Sequence, residues 1–145
     1  MIKIIALGKL KEQYLKTLVN DYLTRINKYH KCEIIELSDL KEMIEEEKLI
    51  LKNIKDSEYI ITLDINGKKI SSNELSDIID KTFNQYSTIT FIIGSSNGLS
   101  EKIKNKASLN ISFGDITIPH GIFRGVLLEQ IYRSFKIINN ESYHK

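Results

Sequence analysis

Three side chains of different chemistry occupy the last three positions of the sequence: Tyr143, His144 and Lys145 offer a phenol, an imidazole and an ammonium in a row. Terminal residues fray and contribute little unless something ties them down. A run of this kind, close behind a strongly apolar helical pattern, raises the expectation of a site that uses the end of the chain. A second cluster lies upstream. The stretch "GSSNG", from Gly94 to Gly98, fits G-x-S-x-G between a strand-like run and a helix start, the setting of a nucleophile elbow with Ser96 as nucleophile. Asp115 and then His120 or His144 follow in the order that a Ser, Asp, His triad requires. Hydrolases built this way are usually much larger and carry an early glycine-rich loop for the oxyanion. No such loop is present, which leaves the hydrolase as the second choice. His30 and Cys32 stand two apart without the further ligands a metal site needs, so no metal is expected. Neither a dinucleotide G-x-G-x-x-G after a strand nor a P-loop occurs.

The elements that must position these groups alternate along the chain. "IKIIALG" (2–8), "EIIEL" (33–37), "YIITLDI" (59–65), "TITFIIG" (88–94) and "LNISF" (109–113) read as strands. The first, third and fourth are nearly continuous apolar runs, as strands covered on both faces of a parallel sheet should be. Helical patterns lie between them, at 10–29, 40–54, 71–85, 100–106 and 119–138. Ser71 with Glu74 forms a capping box, Ser100 precedes "EKIKNKA", and Pro119 sits where a first helical turn tolerates it. The order predicts an α/β domain, a mostly parallel sheet with helices on both faces, in a single domain over 1–145. Ligands bind at the carboxyl ends of strands in such sheets. That points to "TLDINGKK", "IGSSNGLS" and "SFGDITIPHG", three glycine-bearing loops suited to a nucleotide-like ligand.

The last helix is the most informative. In "GIFRGVLLEQIYRSFKII", Phe123, Leu127, Ile131 and Phe135 form one core-facing stripe. Gly121 and Gly125, also four apart, cost about 1 kcal/mol each relative to alanine inside a helix. Close approach of another element, such as a subunit interface, would offset that. Arg124 and Arg133 fall off the stripe, where they could reach phosphate or a carboxylate.

Composition sets the outer bounds. A chain of 145 residues with 41% hydrophobic and 28% charged residues suits a globular protein with a real core. One cysteine excludes an internal disulfide and suits a reducing compartment. No apolar run reaches the length of a membrane span or signal core, so a soluble, cytoplasmic protein is expected. The net charge of +2 says little, although 120–145 carries four Lys/Arg against two Glu, a mildly basic segment that permits a phosphate-bearing partner.

Taken together, "YIITLDINGK", "FIIGSSNGLS", "SFGDITIPH" and "RGVLLEQIYRSFKI" with the closing "YHK" resemble the RlmH-type methyltransferases of large-subunit ribosomal RNA, members of the SPOUT superfamily; "KIIALGKLKEQY" fits as well. The resemblance implies an S-adenosylmethionine-dependent enzyme that methylates N3 of a pseudouridine, on the assembled ribosome. It implies a C-terminal trefoil knot holding the cofactor. Leu63, Gly94, Phe113, Gly114, Asp115, Ile116, Thr117 and Ile118 would be the cofactor-binding residues. It also implies a homodimer with the site at its interface, in which Gly121 and Gly125 could pack. His144 would then be the base or its orienter, with Tyr143 stacking on or hydrogen-bonding the target base. Arg133 and Lys145 would hold phosphate or stabilise the developing anion, and Arg124 would contact RNA. His120 is a rival base whose simpler role is packing at the helix start. The chain departs from the family pattern at Ser95, where glycine is usual, at Asp115, where a basic residue is common, and at Gly121. A non-catalytic RNA-binding descendant of the fold is the alternative.

Overall fold

The apolar runs become five parallel strands in the computed structural model, which describes residues 1–145. They are β1 (Ile2–Leu7), β2 (Cys32–Leu37), β3 (Tyr59–Lys69), β4 (Ile89–Ile93) and β5 (Leu109–Ser112), in the sheet order β2-β1-β4-β3-β5. β1 lies in register with both neighbours, Ile2 opposite Cys32 on one side and Ile89 on the other. Side chains alternate across the pleat. Ile2, Ile4, Ala6, Ile61 and Phe91 meet one core; Ile5, Leu7, Ile60 and Ile92 meet the other. Each large apolar side chain buried this way contributes about 1.5–3 kcal/mol.

Five helices cover the two faces. α1 (Gln13–Ile26), α3 (Ser72–Phe83) and α5 (His120–Ile138) close the first core through Val19, Leu75, Ile79, Leu127 and Ile131. α2 (Met43–Lys52) and α4 (Glu101–Lys106) close the second through Ile50 and Ile103. The caps match the sequence. Ser71 Oγ accepts from the Glu74 amide, and the Glu74 carboxylate accepts from the Ser71 amide. Ser100 Oγ accepts from the Ile103 amide.

Three expectations are changed or narrowed. The third strand does not stop at 65 but continues to Lys69, because Leu63 and Lys68 both pair with Ile111 and residues 64–67 bulge out between them. At Gly67 a Cβ would lie 2.7 Å from the Ile111 backbone, so only glycine lets the returning strand close on β5. The close approach expected at Gly121 and Gly125 is there, and it is that of α1 in the same chain. A Cβ at Gly121 would meet Leu15 Cδ1 at 3.0 Å, and one at Gly125 would meet Leu18 Cδ2 at 2.7 Å, both on α1. Arg124 is not on the surface at all. α5 is flanked by α1 and α3, so positions off its apolar stripe are covered too, and Arg124 is 1% exposed. It therefore has no RNA to contact. Of the two partners expected for it, phosphate or a carboxylate, it has the carboxylate: its guanidinium donates to Glu36 at 2.5 Å and to the Gly8 carbonyl at 2.9 Å.

The end of α5 decides where the last residues go. Asn140 takes a left-handed φ of 53°. The Glu141 amide donates to the Lys136 carbonyl and the Asn140 amide to the Ile137 carbonyl. That is the Schellman pattern with asparagine in the glycine position, and it turns the chain back along the helix it has just left.

Candidate active site

A cavity of about 450 Å³ opens at the carboxyl ends of β3, β4 and β5, where open parallel sheets place ligands. Leu63, Asp64 and Ile65 enter from the β3 bulge. Ile93 and Gly94, with Ser95, Ser96, Gly98 and Leu99, form the wall after β4. Phe113, Gly114, Ile116, Thr117 and Ile118 form the segment before α5, and His120 and Phe123 complete the wall from that helix. The β4 loop folds tightly on itself: a Cβ at Gly94 would lie 2.8 Å from the Gly98 carbonyl, so a side chain there would force the loop apart. Gly114 has φ +122°, and Ser112 Oγ braces its turn by accepting from the Gly114 amide and donating to its carbonyl. Phe113 and Phe123, with ring centroids 5.4 Å apart, tie the segment to α5.

Charge is placed sparingly around this cavity. Asp64 is drawn towards neutrality by burial, but Lys104 at 2.9 Å and the Asn66 amide outweigh that and hold its carboxyl below the usual range. Glu36, outside the cavity, behaves alike. Burial alone would raise it, and the Arg124 guanidinium and Leu10 amide bring it below its ordinary value. Through that pair Arg124 anchors the first turns of α5, and with them Phe123 and His120, to the ends of β1 and β2.

Seven of the eight residues assigned to the cofactor line the cavity; Asp115 does not. Its carboxylate pairs outward with Lys69 at 2.6 Å, which also removes it from any triad. Ser96 is exposed, and it is not on a strained backbone, since Asn140 is the only non-glycine residue with positive φ. A nucleophile elbow needs that strain, and no imidazole hydrogen-bonds Ser96, so the hydrolase loses its support. His120 packs over Gly8, its Cε1 3.0 Å from where a Cβ would stand, and its Nδ1 has no partner. His30 stacks on Phe83 at 4.2 Å and Cys32 is buried in the core.

The tail residues gather elsewhere. Turned back by Asn140, Tyr143 lies edge-on to Tyr132 at 5.0 Å, under the Arg133 guanidinium at 4.8 Å, and donates to Glu129 Oε1 at 3.0 Å. Arg133 donates to the same oxygen from Nε and Nη2, at 3.1 and 2.6 Å, and its Nη1 donates to His144 Nδ1 at 3.2 Å. Upstream, the Glu141 carboxylate accepts from Tyr29 and Lys136. Burial, then Tyr22 and the Glu129 carboxylate, push the Tyr143 phenol well above its ordinary range, so it stays a donor. Arg133, held by Glu129, is firmly charged. Because a guanidinium only donates, His144 Nδ1 accepts, and the neutral ring then carries its proton on Nε2. Lys145 is exposed.

Sequence reasoning missed Glu129, the carboxylate that joins Arg133 to Tyr143. Its spacing of four residues from Arg133 was the available signal. It marked the "TLDINGKK" stretch for a ligand without singling out Asp64 or Ile65, and it missed the cavity role of Phe123, which follows from the course of α5. None of Arg133, Tyr143, His144 and Lys145 lines the cavity. Arg133 lies ten residues along α5 from Phe123, about 15 Å at helical rise.

Comparison with known proteins adds an independent line. The family described as "Predicted SPOUT methyltransferase" matches residues 1–144. A ribosomal RNA large subunit methyltransferase H of Clostridium botulinum (strain Kyoto / Type A2) is 46% identical, over 99% of each chain. One from Caldicellulosiruptor bescii is 44% identical over 100% of each. Among solved structures, a probable methylase family protein from Haemophilus influenzae Rd KW20 superposes with a TM-score of 0.60 at 12% identity, covering 99% of this chain and 70% of that one. At that identity the likeness bears on the fold alone.

Proposed function

This chain belongs to the SPOUT methyltransferase family, and on that premise we propose that it transfers a methyl group from S-adenosylmethionine to N3 of a pseudouridine in large-subunit ribosomal RNA, on the assembled ribosome. One observation carries the proposal: Leu63, Gly94 and five residues between Phe113 and Ile118, drawn from three distant stretches of sequence, line one cavity at the carboxyl ends of the strands. Relatives named for large-subunit ribosomal RNA methylation align over the whole length. The whole chain is taken as one methyltransferase domain.

The residues fit the cofactor. Leu63, Ile93, Leu99, Ile118 and Phe123 offer apolar walls to an adenine, while the tight 94–98 turn and the 113–118 segment bring main-chain donors and acceptors close to a ligand. Asp64 stays ionised at the rim, its charge paired with Lys104. S-adenosylmethionine, when bound, supplies an electrophilic methyl group. The trefoil crossing would take the Phe113–Pro119 segment and α5 back from the edge strand β5 towards the middle of the sheet. The packing of Phe123 on Phe113 and of α5 against both α1 and α3 supports such a path.

The tail does the rest from a second copy. Within one chain Tyr143, His144 and Arg133 sit away from the cavity, so the proposed enzyme is a homodimer in which the tail of one subunit closes over the cavity of the other. Exposed apolar side chains on α1 and α5, Tyr14, Leu18 and Ile122, supply a surface for that contact. The imide proton on N3 leaves to solvent. His144 Nε2–H, Arg133 and Lys145 would then hold the anion it leaves while N3 bonds to the methyl carbon, whose bond to sulfur breaks with the electron pair staying on sulfur, so that the thioether S-adenosylhomocysteine departs. Tyr143 stacks on or hydrogen-bonds the target base. His144 is thus assigned the orienting, anion-holding role rather than that of base, because its Nδ1 is already occupied by Arg133.

The test is methyl transfer from radiolabelled S-adenosylmethionine to ribosomes, and to stripped ribosomal RNA, from cells lacking this activity. Label should enter a large-subunit pseudouridine on ribosomes and scarcely at all on stripped RNA. Mixing a Gly94→Val protein with a His144→Ala protein should restore activity that neither has alone. No restoration in a mixed dimer would overturn the shared site.

A further inference from the structure

Glu46, on α2, is the least exposed acidic side chain in the molecule, at 2%, and it takes part in no ion pair. The nearby Lys102 pairs with its neighbour Glu47 instead, at 3.7 Å. A buried carboxylate without a cation is costly unless hydrogen bonds replace its water. Here three do. Oε1 accepts from Ser95 Oγ at 2.8 Å and from Asn97 Nδ2 at 3.3 Å, and Oε2 accepts from the Leu40 amide at 3.1 Å. The same Ser95 Oγ accepts from the Asn97 amide at 3.2 Å. Each of the three bonds to Glu46 crosses between elements. Leu40 follows β2, Glu46 belongs to α2, and Ser95 and Asn97 form the turn after β4. That turn is the wall of the cofactor cavity, contributing Ser95, Ser96 and Gly98.

We propose that Glu46 is a positioning residue for cofactor binding: by accepting from Ser95 and Asn97 it holds the Ser95–Gly98 turn in the shape that receives the ligand. The proposal rests on the assignment of this cavity to S-adenosylmethionine. The turn has little else to fix it. Beyond the Gly98 amide donating to the Ser95 carbonyl at 2.9 Å and the Asn97 amide donating to Ser95 Oγ, its polar side chains look only to Glu46 and to the Leu40 carbonyl. Glu46 does not itself line the cavity, so its influence passes through Ser95. A charged acceptor makes that hold roughly twice as strong as a neutral one would.

A double-mutant cycle tests it. Glu46→Gln keeps the shape but loses the charge, Ser95→Ala loses the hydroxyl, and the third protein carries both. S-adenosylmethionine binding is measured by titration calorimetry and turnover on ribosomes. Each single change should raise the Kd and KM for the cofactor about tenfold, leave kcat and the KM for ribosomes within about threefold, and lower the melting temperature of Ser95→Ala by only about 2–4 °C, as loss of one hydrogen bond should. The double variant should bind no worse than the weaker single one. Unchanged cofactor binding in Ser95→Ala, or losses that add in the double variant, would overturn the positioning role. Failure of the wild-type protein to bind S-adenosylmethionine would overturn the cavity assignment and this role with it, which separates the two.

Discussion

The two ends of the sheet treat polar groups in opposite ways. At the amino end, Lys3 and Glu58 form a buried pair at 2.6 Å, each side chain 7% exposed. Lys3 also donates to the Asn53 carbonyl, Thr90 donates to the other Glu58 oxygen, and the chain's amino group donates to the Ser87 carbonyl. The lysine, the carboxylate and the amino group there are answered from within the chain, and the buried His30 Nδ1, which has no partner, belongs to a ring stacked on Phe83. At the carboxyl end, all three positive-φ glycines gather, His120 Nδ1 has no partner, and Ile116 and Ile65 stand 83% and 44% exposed beside an open cavity. One edge pairs its charges and the other surrounds a cavity. Where charges are answered inside a fold, it is built for stability; where apolar and polar groups are left on display around a cavity, it is built to bind.

The largest effect should come from breaking the completed edge. Lys3→Met leaves Glu58 buried without its cation, which costs about 3–5 kcal/mol. Urea unfolding should show a matching fall in midpoint, while S-adenosylmethionine affinity per folded molecule stays unchanged. A stable Lys3→Met protein with weakened cofactor binding would invert the comparison. His144→Ala attacks the other end. The side chain is exposed, so stability should not move, whereas kcat should fall about a hundredfold with cofactor Kd unchanged. Gly125→Ala should do little to either. The added methyl meets the tip of Leu18, itself 38% exposed and free to shift, and alanine's helix preference of about 1 kcal/mol offsets the crowding. A loss of dimer on Gly125→Ala would instead return that glycine to the subunit interface.

Much of this division was legible in the sequence, and what escaped has physical causes. Continuous apolar runs marked β1, β3 and β4 because both faces of a parallel sheet are covered, and Ser71 with Glu74 marked α3 because the capping box is local. "DING" reads as a turn, however, and only pairing with β5, which lies more than forty residues away, shows that it is a bulge in one long strand. Arg124 was misplaced for a similar reason. A stripe four residues apart identifies the face on the sheet, but α5 is flanked by two other helices, and no periodicity within α5 reports them. Tyr143, His144 and Lys145 announced their chemistry by type. Their place on Glu129 and Arg133 depends on the left-handed turn at Asn140, which asparagine permits without announcing.

The Arg124–Glu36 pair crosses the boundary between the two edges, since it is an internally answered charge at the binding end. Glu36 is held below its ordinary value of 4.5 because Arg124 and the Leu10 amide outweigh its burial. A carboxyl whose folded pKa is depressed adds stability that is complete above the unfolded value and is lost as pH falls through the folded one. The contribution should therefore be constant from pH 7 down to about 4.5 and decline below it. With Glu36 39% exposed, solvent screening keeps it to less than about 1 kcal/mol. Unfolding by urea between pH 7 and pH 3 should lose slightly less stability in Glu36→Gln than in the wild type over that acid window. Cofactor affinity over the same window discriminates the role of the pair, because Arg124 also sets the first turns of α5 and so the place of Phe123 in the cavity wall. If affinity falls with stability, the pair serves the binding edge; if stability alone falls, it is a piece of the amino edge's chemistry set at the other end of the sheet.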